Sequence, residues 1–445
     1  MASHFQTPFR LNVNKLKMSR VGVIGAGGAG LCAARHLLAA GLKPQVWEAT
    51  CGLGGTWRHS TRTGTDQYGL PIFSSMYNNL RTNLPKEVMA FPDFPFPSED
   101  DTSFVHHTTV SDYLTRYATH FNLFPHIKTD HHVQKVAPTP NSGSGNTDGL
   151  PRWAITVRDL KQHITTTDVY DAVVICNGHY SKPSIPSLPG VEEYQGRQMH
   201  SHDYREPKPF TGETVLVLGA GASGIDIAIE LCSVAKQVYL SHNQKSNIAS
   251  DLPKNLHQVK GATEATRDGF ILTDGRRVQA DAIIYCTGYE YSFSFLCESC
   301  GIRVRRGQVT PLYRHIHNAL LPSMAFIGIP VQICPFPFFD TQVRYVTKVL
   351  TGEVSLPSPE DMEATTQQEF HRHMKEGHAP EDFHLMSSTQ WEYMKELTDA
   401  AGEKPLPSVI KTLFTDVRKI RNNNLLTYKQ AKYRFTGPET YEVVQ

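Results

Sequence analysis

Two glycine-rich loops, GAGGAG at residues 25–30 and GAGASG at 219–224, constrain this chain more than any other feature. Each stands between an apolar, strand-like run and a helical one. Arg20 to Ile24 leads into Gly25, Gly27 and Gly30. The helical run LCAARHLLAAG follows, and a second strand-like run, KPQVWEA, completes a βαβ unit. Side chains at the first two glycines would block the tight turn and the backbone's approach to a pyrophosphate. The helix N-terminus adds unpaired N–H groups and a positive dipole end. Glu48, at the end of the second strand, can accept hydrogen bonds from a ribose diol.

The unit recurs. The run TVLVL leads into Gly219, Gly221, Ser223 and Gly224, then the helical IDIAIELC and the strand-like QVYLSH. This strand ends in Ser241, His242 and Asn243, with Lys245 two positions on and no acid. An acid there would repel a 2′-phosphate, whereas hydroxyl, imidazole and ammonium groups can hold one, so NADPH/NADP+ suits the second loop better than NAD. Two nucleotide folds, the first with a ribose acid, imply FAD followed by a nicotinamide cofactor. Gly54, Gly55, Thr56 and Trp57, in the run GLGGTW, form a further glycine turn that lets backbone lie against the isoalloxazine or its phosphates.

A chain of 445 residues exceeds one ordinary core and predicts an α/β protein of several domains. The 44 basic and 43 acidic residues set up no field that would attract nucleic acid or an anionic membrane. No apolar stretch reaches the roughly 18 residues that a membrane span requires. Eight scattered cysteines, several inside apolar runs, read as reduced thiols rather than a disulfide framework. The opening 17 residues lack the apolar core of a signal peptide, and no Asn-x-Ser/Thr sequon occurs. These features predict a cytoplasmic protein, with secretion left only to a signal peptide missing from the chain. They leave homo-oligomer formation open.

The expected layout has a leader at 1–18, an FAD-binding part at 19–189, an NADPH-binding domain at 190–321 and a second FAD-binding part at 322–445. In this layout the smaller NADPH domain is inserted into a larger FAD domain made of N- and C-terminal segments. Trp153 to Val157 and His163 to Tyr170 read as a meander ending in the strand DAVVIC. The run GFILTDGRRVQ reads as a hairpin turning at Asp274-Gly275. NSGSGNTDG, at 141–149, reads as a loop tip, and MAFIGIP restarts the α/β pattern before a helical segment expected to return to the first domain.

One run outside the loops remains, VEEYQGRQMHSHDY at 191–204. With GxGxxG, GGTW, GxGxSG and CTGY it resembles the flavin-containing monooxygenase family over roughly residues 19 to 430. Family members carry an aromatic-x-Gly-x-x-x-His-x-x-x-Tyr fingerprint here. Tyr194, Gly196, His200 and Tyr204 match it, with Tyr for the usual Phe at the first position. The related Baeyer–Villiger enzymes end the fingerprint in Trp. Asp281 ahead of YCTGY resembles the DxxxFATGY run of N-oxygenating relatives, with Tyr285 and Cys286 as departures. Asn243 is another departure, since the family often has Arg there.

The resemblance implies an NADPH- and O2-dependent flavin monooxygenase that works through a C4a-hydroperoxyflavin on a soft nucleophilic amine or sulfide. It requires no protein nucleophile and no metal, so the histidine-rich pieces are expected on the surface or in the core. In LRTNLPKEVMAFPDFPF, at 80–96, it places Asn83 beside the reactive flavin carbon, where a neutral amide can donate without acting as a base. It assigns His200 and Tyr204 to the NADPH side, at the join between the two domains, with His200 hydrogen-bonding across it. That same segment and the absence of a C-terminal membrane helix look like the insect branch. Its members N-oxygenate pyrrolizidine alkaloids such as senecionine, and the alternative within the class is a broad N- and S-oxygenase of xenobiotics. A rival class is an FAD/NADPH disulfide reductase using Cys297 and Cys300, and a third is a non-catalytic nucleotide-sensing protein.

Overall fold

The computed structural model describes residues 19–97, 102–139, 151–246, 248–249 and 251–444. The leader, Met18 and the loop tip at 141–149 lie outside them. In the first sheet the strand Arg20–Ile24 runs parallel to Lys43–Trp47 on one side and Ala172–Ile175 on the other. Ile127–Lys128 and Met324–Phe326 extend it in parallel, and Leu312–Tyr313 and His317–Asn318 add an antiparallel edge. Both faces are covered, which is why these strands read as unbroken apolar runs. Val21 and Val23 face a core shared with the helices Gly28–Ala39, His107–His120 and Pro335–Leu350. Ile24 and Trp47 face the antiparallel meander Ile164–Tyr170, Trp153–Asp159, His131–Pro138. A Cβ on Gly22 would sit 2.4 Å from the Ile155 Cδ1 atom of that meander, so glycine is needed for the sheet and meander to pack this closely.

The second sheet is parallel throughout, in the order Leu256–Val259, Gln237–Ser241, Thr214–Leu218, Ala282–Tyr285, Arg197–His200. The helix Ala222–Leu231 covers one face, and the hairpin Gly269–Leu272/Arg277–Gln279 turns at Asp274-Gly275, where Gly275 adopts φ 81°. The second fold ends earlier than the expected residue 321. The chain leaves its sheet after Tyr285, and Val309 and Leu312 are already buried in the core beneath the meander.

The C-terminal segment divides between the two folds, which corrects the expectation that all of it returns to the first. Met324–Phe326 joins the first sheet, and Pro335–Leu350 packs along Gly28–Ala39. Where these helices meet, the buried Asp340 takes His36 at 2.7 Å on one oxygen and Arg344 at 2.6 Å on the other. By contrast, the helix Ser408–Asn423 buries Val409, Ile410, Leu413 and Phe414 in the core beside Ala222–Leu231. Lys429 then reaches Asp226 on that helix at 2.8 Å. Sequence periodicity reports that a helix has an apolar face, not which of two cores receives it.

Several imidazoles are buried in the neutral form. Burial pushes His107, His200, His315 and His317 down to about 4, and His384 well below its ordinary value. An unfolded histidine takes up its proton near pH ~6.5. The unfolded chain therefore binds more protons than the folded one between that value and about 4, and stability is lost as pH falls through this window. The urea midpoint should be level from about pH 8 to about pH 7 and drop steeply by about pH 5. A midpoint unchanged down to about pH 5 would contradict this account.

Candidate active site

The first glycine loop and the GGTW turn face each other at backbone distance. A Cβ on Gly55 would lie 3.0 Å from Gly27 Cα, and Gly54 N–H donates to Ala26 O at 3.1 Å. Gly54 and Gly55 adopt φ 113° and 56°, conformations that side chains disfavour. Gly25 turns the chain out of its strand. A Cβ on Gly30 would fall 1.8 Å from Gly25 O, so the helix can begin this close to the strand only with glycine there. Gly27 caps the helix Gly28–Ala39 without a side-chain hydrogen bond, leaving the first-turn N–H groups to a ligand.

Glu48 is buried. Its Oε2 accepts from Ala26 N–H at 3.0 Å, and its Oε1 accepts from the Thr50 N–H and hydroxyl at 2.9 and 2.7 Å. A carboxylate offers roughly four acceptor positions, which leaves one for a ribose hydroxyl. Thr56 O accepts from the Ser74 hydroxyl at 2.9 Å, and Trp57 packs half-buried on the first core. Nearby, Arg58 Nη1, His59 Nε2 and His107 Nδ1 are buried with no hydrogen-bond partner among the described residues. An uncapped helix start, a side-chain-free cradle and unsatisfied polar groups fit FAD.

The second loop repeats the geometry. Gly219 turns with φ 105°, and a Cβ on Gly224 would lie 1.9 Å from Gly219 O. Gly221 caps the helix Ala222–Leu231 with open space about it, and Ser223 is exposed at the helix start. The phosphate-holding set differs from expectation. Ser241 is fully buried, its hydroxyl donating to Lys260 O and accepting from Ala262 N–H, both at 3.0 Å. His242 Nδ1 accepts from Gln244 N–H at 3.2 Å, and its Nε2 lies 3.4 Å from Gln258 Oε1. Asn243 Oδ1 accepts from Gly261 N–H at 3.1 Å. Of the predicted phosphate ligands, only Lys245 presents an exposed charge with no acceptor among the described residues.

The fingerprint builds the edge of the second sheet. Tyr194 donates to Ala280 O at 2.8 Å, and a Cβ on Gly196 would lie 2.2 Å from the Tyr194 hydroxyl. His200 pairs opposite Tyr285 in the edge strand. Its Nδ1 accepts from His202 N–H at 3.0 Å, while the buried Nε2 has no partner. Among the described residues the expected hydrogen bond across the domain junction is not made, and the ring packs edge-on against Tyr289 at 5.1 Å. Tyr204 donates to Glu230 Oε2 at 2.8 Å on the nucleotide helix, and its ring meets Tyr77 at 5.6 Å. It braces that helix, its hydroxyl proton committed to Glu230.

Asn83 is exposed, and its side chain has no hydrogen bond among the described residues. The next residue, Leu84, packs against both the first and the second core, which puts Asn83 at the seam between the folds. Spacing did not reveal Tyr180. It is 46% exposed, and desolvation pushes its phenol up to about 12. Its ring meets Tyr289 at 5.5 Å, and His179 meets Tyr291 at 5.3 Å. The signal was aromatic alternation after CTGY. Cys297 and Cys300 are unbonded beside the meander, and the buried Cys300 thiol donates to Val136 O at 3.4 Å.

The model of the family described as "FMO-like: Flavin-binding monooxygenase-like" matches residues 18–259 and 252–445. The chain is 35% identical to Senecionine N-oxygenase of Tyria jacobaeae, over 95% of this chain and 91% of that protein. It is 37% identical to Flavin-containing monooxygenase FMO GS-OX4 of Arabidopsis thaliana, over 87% and 85%. Its fold superposes on S-allyl-L-cysteine S-oxygenase from Allium sativum with a TM-score of 0.85, at 30% identity, covering 92% of this chain and 94% of that one. Plant relatives are as similar as the Tyria protein, so likeness does not single out an insect branch. These matches set the disulfide-reductase reading aside. The chain belongs to the flavin-binding monooxygenase-like family, whose enzymes hold FAD, oxidise NADPH and take O2 as co-substrate.

Proposed function

We propose that the protein oxygenates a soft, uncharged heteroatom, an amine nitrogen or a sulfide sulfur, with the tertiary amine of a pyrrolizidine alkaloid as the preferred substrate. In balance, substrate, O2, NADPH and a proton give the N- or S-oxide, NADP+ and water. The observation that carries this reading is the exposed Asn83 amide at the seam, unengaged by the described residues. Bound FAD, reduced by NADPH, supplies electrons to O2. The protein's part is to orient the reactants, exclude water and offer a neutral donor. The Asn83 amide can donate to a reacting oxygen without removing a proton. His200 in the fingerprint is uncharged above about pH 4.

We further infer a cytoplasmic setting from eight unpaired cysteines. No helix among the described residues is long and apolar enough to cross a membrane. The supporting relatives divide between an N-oxygenase and an S-oxygenase by name, so the substrate is a matter for assay.

Purified protein given senecionine, trimethylamine or a thioether should consume NADPH faster with the alkaloid and return it carrying one added oxygen. Equal turnover of all three would favour a broad N- and S-oxygenase, and no alkaloid oxide would sink the alkaloid assignment. Replacing Asn83 with Ala should keep flavin content but lower oxide formation by about 100-fold, the cost of removing one positioned donor at a developing charge. NADPH oxidation should persist, with its electrons appearing as hydrogen peroxide. Lys245→Ala should raise KM for NADPH about fivefold, near ~1 kcal/mol for an exposed charge contact, and leave KM for NADH unchanged. Equal changes for both coenzymes would remove Lys245 from the 2′-phosphate site.

A further inference from the structure

Arg205, one residue past the fingerprint, is a cation buried to 9% exposure. Its five guanidinium N–H groups all meet main-chain carbonyls. Nε donates to Ser60 O at 2.6 Å, Nη1 to His202 O at 2.7 Å and Tyr204 O at 2.9 Å, and Nη2 to Arg62 O at 3.1 Å and Ser74 O at 3.2 Å. Among the described residues none of these hydrogen bonds goes to a carboxylate, and Asp203 answers the charge only through space. Burying a charge is costly without compensation, so a cation whose hydrogen bonds all go to carbonyls holds those carbonyls in position.

The acceptors belong to two parts of the chain. Ser60, Arg62 and Ser74 lie on the segment that leaves the GGTW turn, whereas His202 and Tyr204 follow the edge strand of the second fold. Two further bonds lie in parallel. His202 Nε2 meets Ile72 O at 2.7 Å, and Asn78 N–H donates to Arg205 O at 2.8 Å. The linkage continues in both directions. Ser74 Oγ donates to Thr56 O of the GGTW turn at 2.9 Å. At the far end, Asn79 donates to Glu230 Oε1 at 2.7 Å, on the helix that opens the second glycine loop. A continuous run of hydrogen bonds therefore joins the flavin turn to the nicotinamide helix, and Arg205 is its most connected member.

We propose that Arg205 is a positioning residue that sets segment 58–76 against the end of the fingerprint and so aligns the two nucleotide cradles for hydride transfer. This rests on the two-cofactor reading above. Lysine would keep the charge but offers three donors about a point, not five in a planar fork, so it cannot hold all five carbonyls. A misplacement of about 1 Å between reacting partners can cost about 100-fold in rate.

The test uses the holoenzyme with Arg205→Lys and Ser74→Ala, the second because it breaks the link to Thr56 without disturbing a buried charge. FAD content, NADP+ affinity, anaerobic reduction by saturating NADPH and reduction by dithionite are measured, with hydrogen exchange of residues 60–76 followed in the flavin-free protein. Arg205→Lys should retain FAD and bind NADP+ within about threefold of the wild type. Its reduction by NADPH should be at least about 10-fold slower while dithionite reduction is unchanged, and exchange at 60–76 should be faster. Ser74→Ala should show the same pattern more weakly. Unchanged NADPH reduction in Arg205→Lys overturns the proposal. If that variant does not fold, unchanged reduction in Ser74→Ala overturns it instead. A wild-type protein that NADPH fails to reduce overturns the two-cofactor reading, and this proposal with it.

Discussion

The approach of Gly27 to Gly55 sets how the rest of the first fold must be arranged. For two stretches of backbone to meet this closely, neither can carry a side chain, and the turn at 54–55 must take positive φ. Once they meet, the start of the helix Gly28–Ala39 is left bare of protein caps, and its N–H groups point at whatever lies between the two loops. Glu48 is drawn into the same contact, since its carboxylate steadies Ala26, the residue whose carbonyl receives Gly54. The acid is thus structural, with three of its acceptor positions taken by Ala26 and Thr50 and one left over.

Features that depend on backbone were legible in the sequence. Glycine spacing reported both cradles, because a close approach or a left-handed turn admits few other residues. Apolar runs reported the parallel strands, because both faces of those strands are covered. Side-chain commitments were not legible. Ser241 has the right chemistry and position for a phosphate, but Lys260 O and Ala262 N–H already engage its hydroxyl. Tyr204 ends a fingerprint that points to the nicotinamide side, yet Glu230 holds its hydroxyl on the supporting helix. Spacing shows which groups are near one another, and only the folded hydrogen-bond network shows which of them are already engaged.

The seam between the folds owes much to residues that no motif names. Leu84 touches both cores, the helix Ser408–Asn423 crosses from the first fold's segment to close over the second, and Lys429 fastens it at Asp226. These contacts connect distant positions, Lys429 with Asp226 and Leu84 with two clusters, so no local pattern could announce them. They also explain why the C-terminal helices divide. The helix Pro335–Leu350 meets Gly28–Ala39 through the Asp340–His36 hydrogen bond and a shared apolar core, while the later helix turns an apolar stripe to the second core.

Histidine carries much of the interior polarity, and its tautomers are set by neighbours. His384 Nε2 accepts from Val309 N–H at 2.9 Å, so the proton of the neutral ring is on Nδ1, from which it donates to His315 Nδ1 at 2.8 Å. His202 faces Ile72 O through Nε2, which must therefore carry a proton. Neutral imidazoles give the core directional donors and acceptors without the desolvation cost of full charges. The guanidinium of Arg205 contrasts with these neutral rings. A neutral ring offers at most one donor, whereas the hold between the flavin turn and the fingerprint needs five in one plane, and only arginine supplies them.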